Sequence, residues 1–388
     1  MAGRIHDATY NRGEWAELYV FLKLLGEGRL YAADEMLRKN PNSFLEVLKV
    51  IRQEVEGVET EYSTSSDGLT VEVSVDGMPV VEVSAPRFLK NARALFDYLS
   101  DPALEGPTVP APGHVCDFAE LIRVTKPKSK SVKAYAGDFG GKSDIVVKVR
   151  DGKTSLVSVM GFSIKSSFAS APTLFNAGTK SAVLFRVRGA TGRDAERFNS
   201  LLTPAGKRDW KACARYLRAG GFRLELLDTR DGVFAENLLV VRDRMLELLA
   251  ECLVQRFVLD TSATGVPAVV SAVAARNPLG YPASRAADLY EKAFKDFLFA
   301  SFTGLTAAKR WDGDEQVNGG YIVVKDDGDA LCYHASDLGA FKGYLYRNTF
   351  FEYVSCRKFD WSFMEPDGSG GYVLPINFSI RFCDKLNA

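Results

Sequence analysis

Histidine is nearly missing from this sequence. His6, His114 and His334 are its three copies in 388 residues, too few for a histidine metal cage or for an HNH-type nuclease. Six cysteines (Cys116, Cys213, Cys252, Cys332, Cys356, Cys383) are scattered without a CxxC pair, so they read as reduced thiols rather than a disulfide frame or zinc site. No apolar run approaches the ~18 residues of a membrane span. The opening MAGRIHDATYNRGEW has no apolar h-region, so no signal peptide is expected there. GxxxxGK[ST] and GxSxG are both lacking, which leaves no sign of an NTP motor or a serine nucleophile. Net charge is lacking too, since 49 basic residues face 49 acidic ones. Any polyanion would have to be held by local charge. These absences predict a soluble, cytoplasmic protein with no membrane partner.

What is present is ordinary globular material: 46% hydrophobic residues, 25% charged, and 25 Phe with 15 Tyr to fill a large core. Residues 13–25, GEWAELYVFLKLL, predict a helix. Trp15, Leu18, Tyr19, Leu22 and Leu25 form one apolar face, and Val20, Phe21 and Leu24 a second, so the helix should be covered on two sides. Glu17 falls within that second face, an unusual place for a carboxylate. A second helix is expected over 43–55. LTVEVSV and MPVVEVSA flank Asp76-Gly77 and predict a hairpin, followed by a helix near 87–100. Four prolines between 101 and 113 mark a linker or surface crossing. Helices are expected at 190–202, 206–219, 241–256 and 284–302. The last ninety residues turn strand-rich, with strands at 321–325, 330–334 and 372–382, and Gly319-Gly320 reads as a turn.

From Glu120 to Lys165 ten Lys/Arg stand against four Asp/Glu. IVVKV (145–149) and LVSVMGFSIK (156–165) form a second hairpin around Asp151-Gly152-Lys153. Its open end sets Asp144 beside Ser163, Ile164 and Lys165. Period-2 alternation puts Ser163 and Lys165 on one face. A carboxylate and an ammonium meeting there suit phosphodiester hydrolysis, in which an acid holds a divalent metal and a lysine handles water and charge. The spacing matches the Asp-(hairpin)-Glu-x-Lys plan of the PD-(D/E)XK nucleases, except that Ser163 stands where the second acid belongs. A hydroxyl replaces a carboxylate poorly as a Mg²⁺ ligand. Glu17 and Glu14 of the first helix are the candidates for the missing charge. The plainer alternative makes Asp144 a turn cap and Lys165 a solvated strand end.

Longer blocks weigh against that alternative. GGKSDIVVKV (140–149) with GFSIKSSFASAPTLFNAGTKS (161–181) resembles the HpaII-type restriction endonucleases. So do RGEWAELYVFLKLLGEGRLYAADE (12–35), NGGYIVVKDDGDALCYH (318–334) and LPINFSIRF (374–382). The blocks come in order and cover nearly the whole chain. The resemblance implies a Mg²⁺-dependent type II enzyme that cuts double-stranded DNA at a short palindrome, CCGG or a related one. It implies Asp144 as the metal-binding acid, Lys165 as the catalytic lysine, the Ile164 carbonyl as a further ligand, and Glu17, then Glu14, as the helix acid. A homodimer on DNA and a cognate DNA methyltransferase would be its partners.

DNA contacts are expected from Ser166, Ser167, Ser170, Thr173 and Asn176 beside the cut, in a loop whose PTLFNAG could begin a helix. Lys126, Lys128, Lys130 and Lys133 would form a basic strap over the backbone. Arg347, Asn348, Arg357, Lys358 and Arg381 are candidates for base or phosphate contacts, since arginine suits guanine in the major groove. Each has a bland alternative as a polar loop or a surface ion pair. The expected fold is α/β (α+β), a PD-(D/E)XK-like mixed central sheet flanked by helices with a strand-rich C-terminal region. Residues 1–205 would form the nuclease core and 206–388 would complete the DNA cleft. Two other readings stay open: a DNA-binding module of this fold that does not cleave, and a nuclease for modified or mismatched DNA.

Overall fold

A computed structural model describes residues 5–55, 57–129, 143–166, 168, 173–206, 208–313, 319–334, 338–353 and 363–383. The chain forms two compact units. The first comprises residues 1–171, 316–341 and 384–388, the second residues 172–315 and 342–383. The division therefore does not follow the boundary expected at 205: the chain leaves the first unit after 171, and the strands Gly319–Val324 and Ala330–His334 return to its sheet.

Helix α1 (Arg12–Glu27) opens the first unit. Asn11 caps it, accepting from the Glu14 N–H while Glu14 accepts from the Asn11 N–H, a reciprocal capping box. Both of its predicted apolar faces are buried, as α1 packs on the helix Ala85–Leu99 and on strands of the sheet. Strands β1 (Arg29–Ala33), β2 (Lys39–Val55), β3 (Val58–Thr64), β4 (Thr70–Val75) and β5 (Met78–Ser84) follow, then α2 (Ala85–Leu99) and α3 (Gly113–Leu121). The β4–β5 turn is Asp76-Gly77 with positive φ at both residues, as its sequence predicts. Next come β6 (Ile145–Asp151) and β7 (Val157–Ser166), the second predicted hairpin.

The chain then builds most of the second unit with β8 (Thr173–Phe175), β9 (Val183–Arg188), α4 (Gly192–Asn199), α5 (Trp210–Ala219), β10 (Arg223–Thr229), α6 (Gly232–Val241), α7 (Met245–Val254), α8 (Val266–Arg276) and α9 (Ala286–Thr303). It returns to the first sheet as β11 (Gly319–Val324) and β12 (Ala330–His334). After α10 (Leu338–Arg347), β13 (Thr349–Tyr353), β14 (Glu365–Pro366), β15 (Tyr372–Ile376) and β16 (Phe378–Phe382) complete the second unit's sheets. Those are a four-stranded sheet, β10-β9-β15-β14, and a three-stranded one, β13-β16-β8.

The first unit's sheet has nine strands in the order β1-β12-β11-β7-β6-β2-β3-β4-β5, and β1 also pairs with β2. That extra pairing closes six strands into a barrel-like ring, with β3–β5 running on from β2. The fold is mixed α/β as expected, but this sheet is not simply open. Parallel pairs β1–β12 and β11–β7 alternate with antiparallel ones. Leu45, Val47, Val50, Val147, Val149, Phe162 and Ile322 join α1 and α2 in one continuous core.

Four sequence expectations are corrected. Residues 43–55 are strand, not helix. The register of β2 against β6 slips between Val47 and Lys49, and Val47, Val50 and Ile51 are all buried at the i, i+3, i+4 spacing of a helix. Residues 173–175 are strand β8 rather than a helix start. Residues 372–382 form two strands, because Asn377 bends the chain. Its amide donates to Gly178 O (2.6 Å), and its Oδ1 accepts from the Phe378 N–H (2.8 Å) and the Ser181 hydroxyl (2.7 Å). Gly319 and Gly320 begin a strand instead of making a turn. A Cβ at either would collide with the backbone of Gly161 or Tyr333, so only glycine lets β11 fit between β7 and β12. Among the described residues no disulfide forms, and no helix is long and apolar enough to cross a membrane.

Candidate active site

The site forms where the β6–β7 hairpin opens. The Asp144 N–H donates to Phe162 O (2.9 Å), continuing the ladder one residue beyond β6. Its carboxylate turns back to the partner strand, where Oδ2 accepts from the Ile164 N–H (2.9 Å). This bond fixes the carboxylate against the strand and leaves Oδ1 pointing away from it. The expected juxtaposition of Asp144 with Ser163, Ile164 and Lys165 is present. Ser163 lies opposite Tyr321 of β11, and the Lys165 ammonium stands 5.6 Å from the centre of the Tyr321 ring. Burial lowers the Lys165 pKa, and Asp144 only partly opposes it.

Helix α1 supplies a second carboxylate. Glu17 is 8% exposed, and its Oε2 is buried without a hydrogen-bond partner among the described residues. Burial, then the charge of Asp144, pushes its pKa up to about 7, with Lys128 and Arg52 pulling the other way. Sequence placed Glu17 on an apolar face, and there it is. Glu14 instead spends its carboxylate on the cap of α1. It was the second candidate for the missing charge, but its first-turn position gives it a capping role.

Lys128 is the unexpected member. Its ammonium lies 3.2 Å from Glu17 Oε1 and 3.4 Å from Asp144 Oδ1, bridging the two acids. Burial works against its charge, yet the two carboxylates together hold its pKa above the ordinary value. The segment that carries it is clamped by the end of β2. Arg52 donates to Lys126 O (2.8 Å) and Pro127 O (3.2 Å) and pairs with Glu54 (2.8 Å). Glu54 Oε2 accepts from the Thr125 N–H (2.9 Å) and hydroxyl (2.7 Å), and the Gln53 N–H donates to Ser129 Oγ (3.0 Å). Residues 125–129 are therefore a fixed ledge beside the acids, and Lys128 is placed by it. Sequence reasoning missed Arg52 and Glu54 because it read them as helix.

The other candidates fall in separate places. Ser166 ends β7, half-buried and opposite Val324. Thr173, Asn176, Arg347, Asn348 and Arg381 belong to the second unit. Arg381 pairs with Glu352 (2.8 Å), and the Asn348 amide donates to Tyr344 O (2.9 Å) at the end of α10. Asn176 and Arg347 are exposed. Ser167, Ser170, Lys130, Lys133, Arg357, Lys358 and Cys356 lie outside the described residues.

The site thus offers two facing carboxylates, one with a buried oxygen that no described residue satisfies. The Ile164 carbonyl leaves its strand on the same edge as the N–H bound to Asp144. Hard oxygen donors of this kind fit a divalent cation such as Mg²⁺. Among the described residues no group of three or more His, Cys, Asp or Glu gathers, at this site or elsewhere.

The sequence profile of the HpaII restriction endonucleases matches residues 11–382. The chain belongs to that family. It is 28% identical over 372 residues to the type II restriction enzyme HpaII of Haemophilus parainfluenzae, covering 96% of this chain and 98% of that enzyme. No solved structure matches it. The family match runs from the start of α1 to the end of β16, so Glu17, Lys128, Asp144 and Lys165 all lie within it.

Proposed function

We propose that this family member is a type II restriction endonuclease, hydrolysing phosphodiester bonds of double-stranded DNA at a short palindrome, CCGG or a related sequence, with Mg²⁺. The observation that carries the reading is the meeting of Asp144, Glu17 and Lys165 at the open end of one hairpin. In this reading the hairpin follows the PD-(D/E)XK plan, with the helix acid Glu17 making good the carboxylate that Ser163 lacks.

Asp144, Glu17 and the Ile164 carbonyl would hold the metal. Bound there, Mg²⁺ would neutralise phosphate charge and lower the pKa of an attacking water. The protein's own groups do the rest. The Asp144–Ile164 bond fixes one ligand to the strand. Lys165, with its pKa lowered by burial, can orient the water and take part in moving its proton while remaining a donor to the phosphate. In-line attack on phosphorus would leave a 5′-phosphate and a 3′-hydroxyl.

A palindrome has two strands to cut, so the enzyme would act as a homodimer on DNA, and a methyltransferase of matching specificity would protect the host. Ser166, Thr173, Asn176, Arg347 and Arg381, with Ser167, Ser170, Lys130, Arg357 and Lys358, remain candidates for phosphate or base contacts. Unmethylated plasmid incubated with the protein in Mg²⁺, in EDTA, and with Lys165→Ala tests the reading. Discrete fragments that require Mg²⁺ and vanish in the variant are expected, and their ends would give the site. Tight DNA binding without cutting under any divalent metal would instead favour the non-cleaving DNA-binding module.

A further inference from the structure

We propose that Lys128 is a resident cation of this site: its ammonium stands between Glu17 and Asp144 and leaves when a divalent ion binds. The inference rests on the metal-binding role proposed above for those two acids, and adds a competitor for the same oxygens.

Two facing carboxylates need a positive charge between them, and the ammonium sits at 3.2 and 3.4 Å, a bridging point charge rather than a tight bond to either. Its surroundings are lopsided. The Glu17 and Asp144 side chains are 10% and 21% exposed, while that of Lys128 is 51% exposed. The backbone beneath it is anchored by Arg52, Glu54 and Gln53. A long unbranched stem on a fixed ledge, open to solvent, can swing its charge away without moving the chain. An ammonium and a divalent ion repel each other at this range and cannot share the same two oxygens. The displaced ammonium remains within one side-chain length of the acids, where a DNA phosphate is the anion that would receive it. A phosphate that draws Lys128 outward would also free the carboxylates, so metal and DNA would favour each other's binding.

Titration of the full chain with Mn²⁺, followed by electron paramagnetic resonance of the free ion, tests this without reading cleavage. Removing the competing charge in Lys128→Met, and in Lys128→Gln as a second neutral variant, should tighten Mn²⁺ binding about tenfold. Lys128→Arg, which keeps the charge, should stay near wild type, and Asp144→Asn should bind more weakly. If both neutral variants bind Mn²⁺ no more tightly than wild type while Asp144→Asn still weakens it, Lys128 is no competitor and the metal role of the acids stands. If Asp144→Asn changes nothing in any background, the metal role itself fails and the inference falls with it.

Discussion

The β6–β7 hairpin carries an aspartate at each end, and the two are used in opposite ways. At the turn, Asp151 Oδ1 accepts from the N–H groups of Lys153 (2.8 Å) and Thr154 (2.7 Å), two and three residues on. Those bonds, the Thr154 N–H first, hold its carboxyl below the ordinary range. At the open end, Asp144 takes one N–H across the strands and offers its other oxygen to a lysine from a distant segment. Asp151 is engaged by backbone of its own turn, whereas Asp144 has one oxygen held by the strand and the other on a lysine that it shares with a second carboxylate. A carboxylate bound by neighbouring N–H groups stabilises a turn. One whose outer oxygen meets only a mobile side chain can serve chemistry.

The comparison breaks most plainly through Asp144→Asn, which preserves the shape and removes the charge. Plasmid cleavage should fall on the order of 10³-fold while the melting temperature stays close to wild type. Retained cleavage would place Asp144 alongside Asp151 as a structural residue.

A pH series sharpens the contrast. Glu17 titrates at about 7 against an ordinary 4.5, so between those values the folded protein keeps a proton that the unfolded chain has released. Its contribution to stability therefore falls as pH rises through that window and stays low above it. In EDTA, Glu17→Gln should melt about 2–4 °C above wild type at pH 8. The gap should close near pH 4.5, the ordinary value for this group. Asp151 works with the reverse sign, since its depressed pKa stabilises at neutral pH and that gain is lost in acid. An equal gap at both pH values would mean that the open end of the hairpin imposes no penalty on Glu17.

The smallest effect belongs to Asp151→Ala. Cleavage should stay within about twofold of wild type, and urea unfolding should show a loss of about 1 kcal/mol from the opened turn. A collapse of activity there would erase the distinction between the two ends.

Much of this site was legible because it is local. Asp144 and Lys165 sit on one hairpin, and a hairpin's register follows from its turn and its alternation. Glu17 was legible as a misfit, a carboxylate inside an apolar face of α1. Lys128 was visible only as part of a basic run, since its place depends on Arg52 and Glu54 some seventy residues earlier. Those two were misread because Val47, Val50 and Ile51 of their strand fall at a helical spacing. The same limit applies to the ring of the first unit, because nothing in the strand sequences announces that β1 pairs with β2 as well as with β12. The helices α6 and α8 were missed in the second unit, where GVFAENLLVV and VPAVVSAVAAR are apolar on most sides and carry little periodicity.

The placing of residues 172–315 of the second unit between β7 and β11 also sets an order of events during synthesis. Glu17, Lys128, Asp144 and Lys165 have all been made before residues 172–315 are begun, yet Tyr321 and the parallel partner of β7 come after them. Pairings between such distant segments are slow to form and leave strand edges exposed until they do. A nascent chain would therefore carry every charged group of the site while β7 still lacked a neighbour on one side. The Tyr321 ring beside Lys165 arrives late, so the site would take its final shape only after residues 172–315 and β11 had been translated.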